Sequence, residues 1–522
     1  MKKSFRWGLS AALALTVVVT GCSSNKPASN PKSTNSAVDS KAANTTPKAG
    51  GTLSVEMNAD PPKLDPSLSS ALVDRQVFQS IYDKLVDIDA TGKIVPMLAE
   101  QWTVSDDHKV YTLKLRQGVK FHDGTDFNAE AVKFNIERGM DKNSVRRSEL
   151  AEVEKVSVSD PYTVVIQLSK PFAPFLSVLT DRAGMIVSPE AVKKYGEDFV
   201  NHPVGTGPFI FKDRVKGTSL TVEKNPNYWQ KGLPYLDKVV YKIFTDSNVA
   251  LTNQKSGQVD ITTNFPYKEI ENMKNDTNIK VINLAGQGFQ GIHLNTSKAP
   301  FDNKELRQAV DLMIDREALI KVALSGAGTP AHSPFAPSHF SYGDSDKYEK
   351  PNLAKAKELL KKAGKPDGFS FSLKIGTTPT NQQVGEMVQN MLKPAGITVT
   401  LDKVEFGTML DQAKKGNHES TQLGWSGRPD PDQNIYDFAF TGASNNYSQY
   451  SNPEVDKLLK EGRGEGTEAK RKAIYDDLMK KLNDDDEYVY LWHSNNVFGI
   501  SKGVQGFTYI PDGLIRTATI SK

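Results

Sequence analysis

Cysteine is almost missing from this chain: 522 residues contain one, Cys22. A chain with one cysteine forms no internal disulfide, which excludes a disulfide-stapled scaffold. A surplus of charge is missing as well. Lys plus Arg number 65 and Asp plus Glu 62, and three of the basic residues (Lys2, Lys3, Arg6) fall in the first 21 positions, which hold no acid. The remainder balances at zero, which argues against a nucleic-acid binder and against a polybasic membrane patch. Long apolar runs are also lacking. The one such stretch, residues 9–20, is shorter than the about 20 residues a spanning helix needs. Local catalytic motifs are absent: the chain contains no G-x-x-x-x-G-K-[ST] loop and no H-E-x-x-H, and Gly424-Trp425-Ser426-Gly427 lacks the spacing of a nucleophile elbow. The eight histidines are scattered. The closest pair, His332 and His339, stands seven apart in a Pro-rich stretch, which is not helical metal spacing.

What is there begins with a secretion signal over residues 1–21: a charged start, a short apolar run, then Val19-Thr20-Gly21-Cys22. Small residues before a cysteine at this point resemble a bacterial lipobox, in which Cys22 becomes the first mature residue and carries the lipid. One acyl chain anchors only marginally, so stable attachment needs two or more. Residues 22–49 are, after Cys22, mostly Ser, Thr, Asn, Pro, Lys and Ala without an aromatic, the composition of a flexible tether. The length allows roughly three domains of about 150 residues.

Strand signals dominate to about residue 300. Tyr111 to Leu115 alternates as a half-buried strand does, and 156–158 with 163–168 reads as a hairpin turning at Asp160-Pro161. Residues 220–223, 239–244 and 279–284 are further strands. Then Asp302 is expected to cap a helix carrying Leu306, Ala309, Val310, Met313 and Ile314. Asn352 opens another helix that stops at Gly364. A strand over 369–375, a helix over 381–392 and a strand over 397–404 predict a parallel α/β sheet. Residues 452–482 read as mostly helical and 488–492 as strand. Gly286-Gln287-Gly288-Phe289-Gln290-Gly291 matches G-x-G-x-x-G, but Ile292 to Asn295 continues as strand, with no helix N-terminus for a pyrophosphate. A flexible crossing between lobes is the expected role.

Several motifs in order resemble one family. Ala99-Glu100-Gln101-Trp102, Asp106 to Tyr111 and Gly118 to Thr125 are similar to the signature region of the family 5 extracellular solute-binding proteins, the peptide and nickel receptors of ABC importers. Gly205 to Phe209, Asn225 to Trp229, Leu306 to Val310 and Trp425 to Asp432 are similar to its later motifs. The resemblance runs from about Gly50 to the C-terminus. It implies an α/β, periplasmic-binding-protein-like clamp of two lobes joined by a hinge, with a third domain attached to the first. The implied segments are 50–85, 205–288 and 495–522 for lobe I, 86–204 for the extra domain and 289–494 for lobe II. Ligand binding shifts such a clamp toward its closed state. The implied function is capture of short peptides and delivery to a membrane permease, without chemistry on the ligand and without a cofactor. The alternative is a receptor for nickel–chelator complexes, glutathione or another small anionic metabolite. The chain is then a monomer on the outer face of the cytoplasmic membrane, held through Cys22.

The resemblance also implies a site. Dipeptide receptors hold the ligand ammonium with an Asp in a Gly-Trp…Asp-Pro-Asp segment, here Gly424, Trp425, Asp430 and Asp432, with Asp430 first. A carboxylate in a water-poor cleft pairs strongly with an ammonium. Either aspartate could instead cap the helix that follows, and Trp425 could stack on ligand or merely pack. A ligand carboxylate calls for a bidentate Arg. Thr377 to Gln383, where the dipeptide receptors carry theirs, has none. The replacements are Arg182 and Arg428, then Arg146 and Arg147. Met57, Leu64 and Asp65 border the cleft in relatives and are read as packing or turn residues, and Tyr228 and Trp229 as core anchors.

Overall fold

Alternation in Val110–Leu115 points Tyr111, Leu113 and Leu115 inward and leaves Lys114 exposed. This strand is second in a four-stranded antiparallel sheet ordered Ala99–Val104, Val110–Leu115, Thr163–Leu168, Val153–Asp160. The last two form the predicted hairpin. Their inward side chains join one apolar cluster that draws on residues from Leu85 to Ile186. The computed structural model describes residues 47–343, 347 and 350–522. The signal segment, Cys22 and the tether up to residue 46 lie outside the described residues.

A larger sheet carries the rest. Its strands run in the order Thr398–Val404, Ser370–Gly376, Ser420–Gln422, Ile279–Leu294, Tyr488–Ser501, Ile261–Thr262, Thr52–Met57, Lys238–Ile243, Ser219–Lys224, Phe209–Val215. Ser370–Gly376 pairs in parallel with both Thr398–Val404 and Ser420–Gln422, as the strand–helix alternation predicts. The intervening helix is Pro379–Leu392. It starts two residues before the expected Asn381, because Thr378 accepts from Asn381 N and proline suits the first turn.

Two long strands hold the sheet together. Ile279–Leu294 and Tyr488–Ser501 pair antiparallel from Ile279 opposite Ser501 to His293 opposite Tyr488. Phe498 and Ile500 enter a core with Leu53 and Val239. Val489 and Leu491 enter another with Leu373 and Val388. Tyr488 and Tyr490 enter a third with Phe289 and Tyr475. Each fully buried side chain of this size contributes about 1.5–3 kcal/mol, so one strand ties separate cores together.

Two expectations need correction. Asn303, not Asp302, caps the helix Lys304–Asp311: its Oδ1 accepts from Leu306 N at 3.1 Å. That helix ends at Asp311, so Met313 and Ile314 pack from the turn beyond it. The Gly286 to Gly291 run is not a flexible crossing. It lies inside the strand Ile279–Leu294, at register shifts between Ala285 and Phe289 and between Gln290 and Gly291. Glycine is required there by close approach. A Cβ on Gly288 would stand 2.6 Å from Trp425 O, and one on Gly291 2.4 Å from Val489 O. Gly288→Ala is expected to destabilise the chain by about 1–3 kcal/mol through overpacking against backbone, read as a lower urea midpoint with an unchanged slope.

Candidate functional site

The segment from Gly424 to Asp432 is seated on the strand Ile279–Leu294. Trp425 N donates to Phe289 O at 2.9 Å and Phe289 N to Trp425 O at 3.0 Å. Gly424 and Gly427 allow this contact: a Cβ would stand 2.4 Å from Phe289 O and 2.2 Å from Gln287 C, and Gly427 has φ +78°. Asn434 fixes the loop from within. Its Oδ1 accepts from Trp425 Nε1 at 3.1 Å and Arg428 N at 2.8 Å, and its Nδ2 donates to Arg428 O at 2.9 Å and Asp430 O at 3.2 Å. His339 adds Nε2 to Arg428 O at 2.8 Å while its Nδ1 accepts from Ala336 N at 3.0 Å. Burial holds this imidazole neutral, down to about 4.

The two aspartates of the loop do not present free carboxylates. Asp430 takes a bidentate pair from Arg471, at 2.8 Å (Nη1 to Oδ2) and 2.6 Å (Nη2 to Oδ1). Asp432 takes one from Arg463, at 3.1 Å from Nε and 2.8 Å from Nη2. Asp430 also accepts from Asp432 N at 2.9 Å, the turn geometry that competed with the ammonium reading. With both oxygens of each already engaged, the geometry favours a structural role for this pair.

The arginines behave differently. Arg428 lies over the Trp425 ring at 4.4 Å, so the indole face is covered from within the protein. Its Nη1 donates to Gly427 O at 2.6 Å, and its Nε stands 2.9 Å from Asp181 Oδ2 as an ion pair whose angle falls short of a hydrogen bond. Arg75, on the helix Leu72–Ile81, donates from Nε to Asp181 Oδ1 at 3.0 Å. Arg182 stands 3.9 Å from the same oxygen and donates from Nη1 to Ser69 O at 3.0 Å. Arg146 donates from Nη2 to Ser69 O at 3.0 Å and pairs with Glu149. All four guanidinium groups and Asp181 are at least 94 % buried.

Burial alone would raise the Asp181 carboxyl, but Arg75, Arg428, Arg182 and Arg146 outweigh it and hold the group well below its ordinary range. Burial and the neighbouring Arg75 bring Arg428 down to about 10, and burial with Arg146 lowers Arg182 as well. Four cations are thus directly paired with two carboxylates, Asp181 and Glu149. A third, Asp74, accepts from Ser69 Oγ at 2.7 Å and is pushed up by burial to about 6. Three buried donors in the cluster have no hydrogen-bond partner: Arg75 Nη1, Arg146 Nε and Arg182 Nε. Unpaired buried donors are costly.

The cluster joins distant parts of the chain. Arg428 meets Asp181, Ser177 Oγ donates to Gln433 Oε1 at 3.1 Å, and Ala173 N donates to Arg463 O at 3.0 Å. Of the candidate arginines, Arg146, Arg182 and Arg428 come together and Arg147 is exposed away from them. Met57 is buried and borders a cavity of about 130 Å³ whose lining includes the amide side chains of Asn58, Gln76, Asn264, Asn495 and Asn496. Tyr228 and Trp229 both donate to Asp83, at 3.1 and 2.8 Å, in a packing role. Arg75, Asp181, Asn434, Arg463 and Arg471 were not singled out by sequence. Only Arg75 left a trace, as a charge on the buried face of a helix carrying Val77, Phe78 and Ile81.

Arg471→Met leaves Asp430 buried and unpaired and is expected to cost about 3–5 kcal/mol; adding Asp430→Asn should recover part of it in a chemical-denaturation cycle. His339 stays neutral when folded down to about 4, whereas a free imidazole takes its proton near 6.5. Between these values the unfolded chain binds the extra proton, so His339 weakens stability as pH falls from about 6.5 to about 4. His339→Gln should therefore show a shallower loss over that window than the parent chain.

A family model described as bacterial extracellular solute-binding proteins, family 5 middle, matches residues 93–447. The glutathione-binding protein GsiB of Salmonella typhi is 34 % identical over 466 residues, covering 86 % of this chain and 90 % of its own. Among solved structures, DppA from Helicobacter pylori in complex with peptide STSA aligns with TM-score 0.83 at 29 % identity, over 91 % of this chain and 98 % of that one. AgaA from A. tumefaciens R10 in complex with agropinic acid aligns with TM-score 0.82 at 31 % identity, over 90 % and 98 %. The motif order, the strand-linked clamp and these matches agree: the chain belongs to family 5 of the bacterial extracellular solute-binding proteins, the receptors of ABC importers.

Proposed function

We propose that this receptor captures a short peptide or peptide-like solute whose recognised end carries carboxylate groups, glutathione being the nearest example. The observation that carries this reading is the cluster of Arg75, Arg146, Arg182 and Arg428, with three unpaired buried donors around Asp181. A bidentate guanidinium suits a carboxylate in a way a lysine does not. Glutathione is what the GsiB relative is named for, and agropinic acid is the ligand in the AgaA complex. The amide-lined cavity next to Gln76 offers neutral donors and acceptors for the rest of a peptide. In this reading Arg428 from lobe II, Arg75 from lobe I and Arg146 and Arg182 from the extra domain attached to it close on the ligand together, so the ligand stabilises the closed clamp.

The lobe assignment is part of the proposal: 50–85, 205–288 and 495–522 for lobe I, 86–204 for the extra domain, 289–494 for lobe II. So are cleavage before Cys22, lipid attachment there, a tether to residue 49, a monomeric receptor and release of the ligand unchanged to the permease. Calorimetry with glutathione, acidic dipeptides and neutral dipeptides tests the ligand class. Acidic ligands are expected to bind, and Arg182→Gln to weaken them by about 10- to 100-fold, the worth of one charge-assisted hydrogen bond. Neutral dipeptides binding as tightly as acidic ones would sink the proposal. Native mass spectrometry of freshly purified protein would separate a peptide from a metal chelate by mass.

A further inference from the structure

A second polar cluster lies apart from the arginines. Asp311 ends the helix Lys304–Asp311, His332 follows the short strand Gly328–Pro330, and Asp486 caps the C-terminus of the helix Glu468–Asp485 with φ +45°. One oxygen of each aspartate and one ring nitrogen of His332 lie within 4.8 Å of one another. Among the described residues no other set of His, Cys, Asp or Glu side chains meets this condition.

Charge is unbalanced in the cluster. Arg316 Nη2 pairs with Asp311 Oδ1, neutralising one carboxylate. Arg307 gives Nε to Asp485 O at 2.6 Å and Nη1 to Phe301 O at 2.8 Å and pairs with neither aspartate of the cluster, although its charge reaches Asp486. The Asp486 carboxylate is 92 % buried, faces Asp311 and His332, and makes no hydrogen bond or ion pair. A buried acid in that state needs a proton or a cation.

The geometry suits a metal. His332 Nε2 stands 3.6 Å from Asp311 Oδ2. Two ligands on a tetrahedral ion at about 2.1 Å are separated by about 3.4 Å. Asn483 lies 3.1 Å from His332 Nδ1. With its amide turned so that the carbonyl oxygen faces the ring, Asn483 accepts the Nδ1–H and aims the Nε2 lone pair at the aspartates, the outer contact a metal-bound histidine requires. One imidazole and two carboxylates make a mixed N/O set that favours a first-row divalent ion over calcium or magnesium.

We propose that Asp311, His332 and Asp486 bind one divalent transition-metal cation, zinc(II) by preference. The ion would fasten the end of the Glu468–Asp485 helix, and with it the start of the Tyr488–Ser501 strand, to the Lys304–Asp311 helix. This site is separate from the arginine cluster and does not depend on the identity of the transported solute.

The test uses tag-free, chelator-treated full chain titrated with zinc chloride. One equivalent is expected to bind, and a hundredfold excess over Kd to raise Tm by about 2–3 °C. Asp486→Asn should weaken zinc binding at least about 100-fold and abolish the Tm rise, while glutathione titrations remain as in the parent chain. His332→Gln serves as the second variant, and X-ray absorption of the zinc-loaded parent chain should show one imidazole with oxygen ligands and no sulfur. Absence of zinc binding, binding unchanged in either variant, or a spectrum without imidazole would overturn the proposal.

Discussion

One buried carboxylate organises the centre of this molecule. Asp181 is ionised in a place where burial opposes ionisation, and it stays so only because guanidinium groups converge on it. Arg75 comes from the helix Leu72–Ile81, Arg182 from the adjoining turn and Arg428 from the loop seated on the long strand Ile279–Leu294. Removing water from such a group is expensive, and attraction repays it only when the geometry is nearly complete. Asp181 therefore joins the helix Leu72–Ile81 to the loop that carries Arg428. The same convergence leaves three arginine donors, Arg75 Nη1, Arg146 Nε and Arg182 Nε, without a hydrogen-bond partner.

That arrangement depends on a rigid seat for Arg428. Gly424 and Gly427 let the loop lie against Phe289 and Gln287, and Gly288 lets the strand approach Trp425. Asn434 then ties Trp425, Arg428 and Asp430 with four hydrogen bonds. Asp430 and Asp432 fasten the loop to Arg471 and Arg463 on the following helices. Both acids therefore hold the loop in place through these pairs.

The electrostatics are local. Past the first 21 residues the chain is formally neutral, so no broad field steers a charged solute toward it. The strong fields are those around Asp181, where four buried guanidinium groups act over a few ångströms.

The sequence by itself determined the family, the hairpin turning at Asp160-Pro161 and the parallel strands around the helix Pro379–Leu392. These rest on alternation, caps and motifs, which are local along the chain and survive being read in one dimension. It could not assign partners. That Asp430 belongs to Arg471, 41 positions away, and Asp181 to Arg428, 247 away, follows from packing of separate elements and leaves no periodic trace. The glycines of 286–291 looked like a phosphate motif or a flexible link because spacing alone does not reveal what stands opposite a missing Cβ. Spacing along the chain also hides that His332, outside any helix, meets Asp311 and Asp486 from the ends of two separate helices. Charge pairing is a property of distance in space, and only the tertiary structure decided which charges are spent on the fold and which remain for a ligand.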